Sequence, residues 1–245
     1  VFYSPLLFDG AFLALRSRSA TYFTATNPGM LYGGAMGESK IRVLDLIPSR
    51  YLPATLFLPQ NTPLLSAMAQ MRKAKMDFPL IAKPNIGERG KGVEKLEDQV
   101  DLGKYLSRHG GHDLILQAFI DLPIELGVLY HRMPGQNQGQ ITSIVLKEFL
   151  TVTGDGQRTL AQLIRQHIRA SKRLPYFREK LGNEALEAIV PAGEVRYLEP
   201  IGNHCRGTAF LNGNHLIDQR LTKVFDRIAH QIEGYYYGRF DLKVD

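Results

Sequence analysis

The sequence predicts an α+β fold of two lobes, rich in antiparallel strands. Three observations lead there. Strand-like and helix-like stretches are mixed along the chain without strict βαβ alternation. An apolar run ending in proline, "FPLIAKP" (78–84), a glycine-rich loop and the return run "GVEKL" together spell a strand–loop–strand hairpin. A long amphipathic stretch (218–236) is followed by the alternating "YGRFDLKVD" (237–245), a helix leading into a strand.

Length and composition set the outer bounds. The chain has 245 residues, 44% hydrophobic and 22% charged, which allows one large domain or two or three small ones with a sizeable core. A net charge of +6 favours anionic partners, whether nucleotide, nucleic acid or acidic small molecule, without choosing among them. The single cysteine, Cys205, excludes an intrachain disulfide and fits a reducing, cytoplasmic setting. No apolar run approaches the roughly 20 residues of a membrane helix. The apolar N-terminal run, interrupted by Asp9 and without a basic n-region, reads as a core segment and not a signal peptide.

The elements follow in order. "NPGMLYGG" (27–34) is a loop, and "GESKIRVLDLI" (37–47) a short helix with Ile41, Leu44 and Ile47 on one face. "PATLFLP" (53–59) is a strand. "TPLLSAMAQMRKAK" (62–75) is a helix with Thr62 as N-cap and Pro63 at N1. After the hairpin come a helix over about 97–108 and strands 113–119, 124–132 and 140–153. A helix over 158–171, with Thr159 as cap, follows the tight turn "VTGDGQRT" (152–159), whose Asp-Gly pair is a hairpin signal. "EVRYLEPIG" and "GTAFLNG" read as strands or loops. The last helix aligns Leu221, Val224, Phe225, Ile228 and Ile232 in one stripe.

Several stretches carry candidate chemistry. Gly87, Gly90 and Gly92 can aim backbone N–H groups at phosphate oxygens, with Lys83, Arg89 and Lys91 adding charge-assisted bonds. The spacing is not that of a Walker A loop, and a surface hairpin with solvated charges explains the loop equally well. A lysine in the apolar "PLIAKP" needs an anionic partner unless it sits on an edge facing water. In "LILQAFIDLPIELGV" (114–128) Glu125 could bind ribose hydroxyls, and the backbone of Ala118, Phe119 and Ile120 an adenine edge. An exposed glutamate on a half-buried strand is the plainer reading. Lys147 is either solvent-facing or phosphate-facing. Arg239 and Asp241, two apart, share a strand face: a surface ion pair, or an oxyanion stabiliser beside a Mg²⁺ ligand. "HGGH" (109–112) has metal-like spacing but sits among turn glycines. In "GNHCRGT" (202–208), His204 and Arg206 are candidates for substrate contact and Cys205 is a poor nucleophile. The basic stretch 158–180 has few interleaved aromatics, so a solvated helix face fits it better than a nucleic-acid platform.

Taken in order, "FPLIAKPNIGERGKGV", "LILQAFIDLPIELGV", "VTGDGQRTLAQLI" and "GRFDLKVD" resemble the ATP-grasp superfamily of carboxylate–amine ligases over about residues 38 to 245. The resemblance implies the ATP-grasp fold: a short N-terminal segment (1–60), a first lobe with the glycine-rich loop (61–121) and a second lobe (122–245) that ends before the family's Glu-x-Asn pair. It implies that Lys83 contacts ATP phosphates and that Gly87 to Gly92 form a lid ordered by ATP. Gln117, Ala118, Phe119 and Ile120 would meet adenine, and Glu125 the ribose. Lys147 would lie near a phosphate or substrate, Arg239 would stabilise the tetrahedral intermediate, and Asp241 would bind Mg²⁺. Lys40 and Arg42 are the nearest candidates for a further phosphate contact. The partners implied are ATP, a small carboxylate and an amine, with no nucleic acid and no membrane; a homodimer is compatible. Two other readings stay open: a nucleotide-binding or phosphotransfer protein on this fold, and a nucleic-acid binder using the basic surface.

Overall fold

The computed structural model describes residues 4–35, 37–87, 90–199, 202 and 207–245. Helix α1 (Ser4–Ser17) opens the chain. Its Leu7, Phe8 and Leu15 are 74%, 79% and 79% exposed, so the run expected to join the core does not. The physical reason is its pattern. Leu6, Leu7, Phe8, Phe12, Leu13 and Leu15 are spread round the helix, and without a single stripe there is no face to dock. Two 3₁₀ turns, Tyr22–Thr26 and Leu31–Gly34, follow. Between them the buried Asn27 donates to the carbonyls of Gly33 and Tyr237 and accepts from the amides of Tyr236 and Tyr237. Helix α2 (Lys40–Asp45) is next; past its end Leu46 and Ile47 pack on the core of the second sheet, a shift from the expected stripe.

The first sheet comprises β1 (Thr55–Leu58), β2 (Leu80–Pro84), β3 (Glu94–Leu96) and β4 (Leu114–Ala118), in the order β1-β4-β2-β3, all antiparallel. Helices α3 (Leu64–Lys73) and α4 (Gln99–His109) cover one face. Alternation sends Leu58, Leu80, Ala82, Leu96, Leu114 and Leu116 into that core, against Met71 of α3 and Leu102 and Tyr105 of α4. Thr55, Ile81, Lys83 and Gln117 are left on the other face. The β2–β3 hairpin is as expected, with Ala82 opposite Glu94. Thr62 does not cap α3: its hydroxyl donates to the Pro59 carbonyl at 2.6 Å, and Pro63 takes the cap position. An acceptor three residues back competes successfully with the helix end.

The second sheet is built from β5 (Ile124–His131), β6 (Gln140–Glu148), β9 (Ala209–Asn212) and β10 (Tyr237–Val244), in the order β10-β5-β6-β9 and again antiparallel. Helix α8 (Gln219–His230) packs Phe225 and Ile228 against Leu126, Val128, Tyr130 and Ile144. Val224, placed in the same stripe by its spacing, is 38% exposed instead.

The strand expected over 140–153 splits in two. β7 (Thr151–Thr153) leaves the second sheet and pairs with β8 (Val195–Tyr197), because Leu150 turns into a separate core with Leu160, Ile164, Phe177 and Leu198. Helices α5 (Leu160–Gln166), α6 (Ile168–Ser171) and α7 (Leu174–Glu187) complete that core. Thr159 caps α5 in a reciprocal box with Gln162, as read from the sequence. The single helix expected over 158–171 breaks at His167, whose Nδ1 accepts from the amides of Arg169 and Ala170 and so starts α6. The Asp-Gly turn joins β7 to a helix and not to a pairing strand. Asp155 accepts from the amides of Gln157 and Arg158 and from the Arg158 guanidinium, which hold its carboxyl well below the usual range.

Candidate active site

On the open face of the first sheet, neighbouring strands align Lys83, Gln117 and Thr55. Lys83 Nζ donates to Gln117 Oε1 at 2.9 Å, Gln117 Nε2 to Thr55 Oγ1 at 2.9 Å, and Thr55 Oγ1 to the Pro53 carbonyl at 2.8 Å. Among the described residues, the hydrogen-bond partner that holds the lysine is neutral. Burial, and then the charge of Lys40, lower its pKa from 10.5 to about 8.

Lys40, at the start of α2, spends its ammonium on the loop that follows β2. It donates to the carbonyls of Pro84, Asn85 and Gly87 at 3.1, 3.3 and 2.7 Å. The buried Asn85 locks the same junction, its Oδ1 accepting from Ser39 Oγ and from the Ile41 amide at the head of α2. The far end of the loop is tied at Gly92, whose carbonyl accepts from Tyr105 Oη at 2.7 Å. Gly92 has φ +69°, and a Cβ there would lie 2.8 Å from Pro84 Cγ, so glycine is required. Lys83, Lys40, Glu38, Val43, Leu44, Gly34, Gly37 and Gly87 line a cavity of about 470 Å³. Lys91 lines a different one of about 560 Å³, with Gly92, His109 and His112, which shares Gly87 with the first. Arg89 lies outside the described residues, as do His204, Cys205 and Arg206.

β4 leads into the linker at Phe119. The Ala118 amide donates to the Ala54 carbonyl and the Phe119 amide to the Pro79 carbonyl. A backbone contact to adenine at these two residues is thereby narrowed to their carbonyls. The Phe119 ring carries the ammonium of Lys95, from β3, at 4.2 Å and that of Lys243, from β10, at 5.0 Å. One aromatic ring therefore meets a cation from each sheet.

On the second sheet, alternation puts Glu125, Lys147, Arg239 and Asp241 on the face opposite α8. Glu125 stands directly across from Lys147, and Asp241 across from Gly127. Lys147 Nζ lies 2.6 Å from Glu125 Oε1 and 3.6 Å from Asp241 Oδ1, with its side chain only 5% exposed. Arg239 Nε and Nη2 each lie 3.1 Å from an Asp241 carboxylate oxygen. Four residues singled out from three separated stretches thus form one continuous charge network. Glycines make room for it. A Cβ at Gly127 would come within 3.1 Å of Asp241 Oδ1, and one at Gly202 within 2.6 Å of Glu125 Oε2.

Other candidates fall elsewhere. His109 packs its ring at a tilt against Tyr105 and faces Glu94 at 3.5 Å, and the described residues contain no cluster of three or more metal-ligating side chains. In the basic stretch, Arg158 pairs with Asp155, Arg169 with Glu148, and both Arg173 and Lys180 with the buried Glu199. Those pairings engage four of the seven basic side chains of the stretch. Asp241, 44% exposed on the same face as Lys147, fits as one carboxylate ligand of a Mg²⁺ that arrives with phosphates, but not as a metal site of its own. Sequence reasoning passed over Asn85, Glu38 and the Lys95–Phe119–Lys243 stack. Only the proline–asparagine step after the strand marked the first of these.

No family model and no curated protein matches this chain. Among solved structures it is similar to D-alanine–D-alanine ligase from Bacillus anthracis complexed with ATP, at 14% identity and TM-score 0.45 over 84% of this chain and 51% of that one. It is similar to a bifunctional glutathione synthetase from Pasteurella multocida, at 14% identity and TM-score 0.39 over 85% and 29%. A third is the ATP-grasp ligase PsnB complexed with minimal precursor, at 14% identity and TM-score 0.43 over 84% and 47%. The chain spans about half, or less, of the length of these structures. The likeness is one of overall mixed helix and antiparallel-sheet architecture with ATP-grasp ligases.

Proposed function

We propose that this chain is the nucleotide-gripping part of an ATP-dependent ligase that joins a carboxylate to an amine through an acyl phosphate. One observation carries the reading: Glu125, Lys147, Asp241 and Arg239 converge in one network on a sheet face. A structural ion pair needs two residues. Four, with two cations and two carboxylates in a glycine-cleared space, suit a ligand that carries phosphate, ribose and metal together.

In this reading a carboxylate oxygen attacks the γ-phosphorus of ATP, giving RC(O)OPO₃²⁻ and ADP. An amine nitrogen then attacks the acyl carbon, the C–O bond to phosphate breaks, and the leaving phosphate takes the surplus proton. The chain's task is positioning and charge neutralisation, with no nucleophile of its own. Lys83 meets the phosphates. The carbonyls of Ala118 and Phe119 meet the base, and Glu125 the ribose hydroxyls. Lys147, held between Glu125 and Asp241, faces the transferred group, and Arg239 faces the oxyanion at the acyl carbon. Mg²⁺ arriving with ATP would find Asp241 and would supply neutralisation of the phosphate charge. Gly87 to Gly92 would close over the phosphates.

The test is a phosphate-release screen of amino-acid and small-acid pairs with amines in the presence of ATP and Mg²⁺. The reading expects release that depends on both an acid and an amine, and loss of nucleotide binding in Lys83→Ala. Unchanged nucleotide affinity in that variant sinks the reading. Nucleotide binding without acid-dependent release selects the second reading, a nucleotide-binding module. The engagement of both Asp241 oxygens by Arg239 favours that alternative.

A further inference from the structure

One buried carboxylate has no part in the reading above. Glu199, two residues past the end of β8, is fully buried. Its Oε2 accepts from Tyr176 Oη at 3.1 Å, and Lys180 Nζ lies 3.5 Å from Oε1. Arg173 Nη2 lies 3.9 Å from Oε2, with its guanidinium 4.4 Å from the centre of the Tyr176 ring and 5.4 Å from that of Phe177. Residues 173, 176, 177 and 180 follow the spacing of one helix face, so α7 and its N-cap residue give a stripe to this single acid. Stability alone explains the arrangement poorly, because buried ion sets are seldom better than apolar side chains of the same volume. What such a set does is pin the chain that carries it: moving Glu199 away would leave a buried charge unpaired.

The pinned chain leads straight to the charge network. Gly202 is three residues on, a reach of at most about 11 Å. It stands against Glu125: a Cβ there would lie 2.6, 2.7 and 2.7 Å from Oε2, Cδ and Oε1 of that carboxylate. The Gly202 backbone is therefore one restraint on Glu125, and Lys147 Nζ, at 2.6 Å from Oε1, is another. The far end of the same segment is tied to the same helical unit. The Gly207 carbonyl accepts from Arg169 Nη1 at 3.3 Å, while Arg169 Nη2 donates to Glu148 Oε2 at 2.9 Å, next to Lys147 on β6. Helices α6 and α7 thus hold both ends of 199–207.

We infer that Glu199 is a positioning residue for the nucleotide grip: anchored on Arg173, Tyr176 and Lys180, it holds Gly202 against Glu125 and so fixes the carboxylate that receives the ribose hydroxyls. This rests on the role given to Glu125 in the ligase reading. Glu199 touches no substrate and acts only through Gly202. A carboxylate fixed in place makes its charge-assisted bonds at full strength, whereas one free to swing loses much of that. The unit of α5, α6 and α7 supplies none of the four residues of the network. Through Glu199 it nevertheless sets how well the site tells a ribose from a sugar without hydroxyls.

The test compares the binding of ATP and of 2′,3′-dideoxy-ATP, which lacks both hydroxyls, to the full chain by calorimetry. Wild type is expected to prefer ATP by about tenfold or more, the scale of a charge-assisted hydrogen bond. Glu199→Gln keeps the shape and an acceptor for Tyr176 but removes the charge. It is expected to weaken ATP binding by about fivefold and to leave dideoxy-ATP binding unchanged. A role confined to stability leaves the ratio of the two affinities where it was. Glu125→Gln should flatten the ratio by itself, and adding Glu199→Gln should then change nothing, since both act on one contact. Tyr176→Phe removes one neutral hydrogen bond and no charge; it should lower the ratio about twofold, and it decides the matter if Glu199→Gln does not fold. An undiminished ratio in the folded variant, or a further full loss in the double variant, overturns the inference and leaves the ligase reading standing. If wild type takes no nucleotide, or takes both equally, the role of Glu125 falls and this inference with it.

Discussion

Replacing Lys83 with methionine separates what the lysine does for binding from what it does to the fold. Its ammonium is desolvated and faces Lys40, so the folded chain lowers its pKa from 10.5 to about 8. Below pH 8 the group is charged in both states, and the folded state carries the penalty. Between about 8 and 10.5 the folded chain sheds this proton while the unfolded chain keeps it, so stability rises with pH. At about 1.4 kcal/mol per pH unit, the full gap is about 3 kcal/mol, of which about 2 kcal/mol is gained by pH 9.5. The buried Tyr105, Tyr130 and Tyr235 hydroxyls are pushed up and act in the opposite direction, but only above their ordinary range near 10.

The window for measurement is therefore pH 7 to 9.5. The chain has no tryptophan, so urea denaturation is followed by circular dichroism. Lys83→Met deprives Gln117 Oε1 of its donor, at about 1 kcal/mol, so the variant should be about 1–2 kcal/mol more stable than wild type at pH 7. Its stability should also lack the rise toward pH 9.5. The variant should bind ATP far more weakly all the same. In the wild type, phosphate favours the charged lysine, so ATP binding at pH 8.5 should take up a proton, read by calorimetry in buffers of different ionisation enthalpy. A variant less stable than wild type at pH 7, or a wild type whose stability does not rise from pH 7 to 9.5, refutes this account of Lys83.

Three further outcomes follow from the geometry. Lys147→Met strands Glu125, whose side chain is 15% exposed, and should cost about 3 kcal/mol; adding Glu125→Gln should recover most of that loss in urea denaturation. Asn85→Ala removes the acceptor for Ser39 and Ile41, and should cost about 2 kcal/mol with faster hydrogen exchange at the Ile41 amide. Gly202→Ala drives a methyl group into the Glu125 carboxylate and should weaken nucleotide binding by about tenfold, measured by ATP titration.

What the sequence made legible was local. The β2–β3 hairpin, the Thr159 cap and the alternation of Arg239, Asp241 and Lys243 with Phe240, Leu242 and Val244 each follow from residues within a few positions of one another. What it concealed depended on partners far along the chain. The fate of 140–153 turned on Leu150 entering a core with Phe177 and Leu198, and no periodicity within the strand shows that. The Lys95–Phe119–Lys243 stack joins residues from both ends of the fold. α1 misled because apolar content was read as burial, whereas burial needs an apolar face. Glu38 escaped because nothing in "GESK" distinguishes a cavity wall from a surface turn.

The two sheets prepare their cations differently, and in the ligase reading this sets the order in which a phosphate would meet them. Lys147 and Arg239 are already neutralised by Glu125 and Asp241, so an incoming anion must displace or share a carboxylate there. Among the described residues Lys83 has an amide oxygen as its partner and is penalised as a charge, so an anion would relieve it at once. On that reading the first grip on a triphosphate would fall to Lys83, and the affinity with it. The pre-paired residues of the second sheet would change partners only when new negative charge develops between them, as it would if an acyl phosphate formed. Binding and turnover would then rest on different sheets. That division would give two lobes a reason to be separate: one supplying a cation waiting for a ligand, the other a balanced network that responds to the reaction.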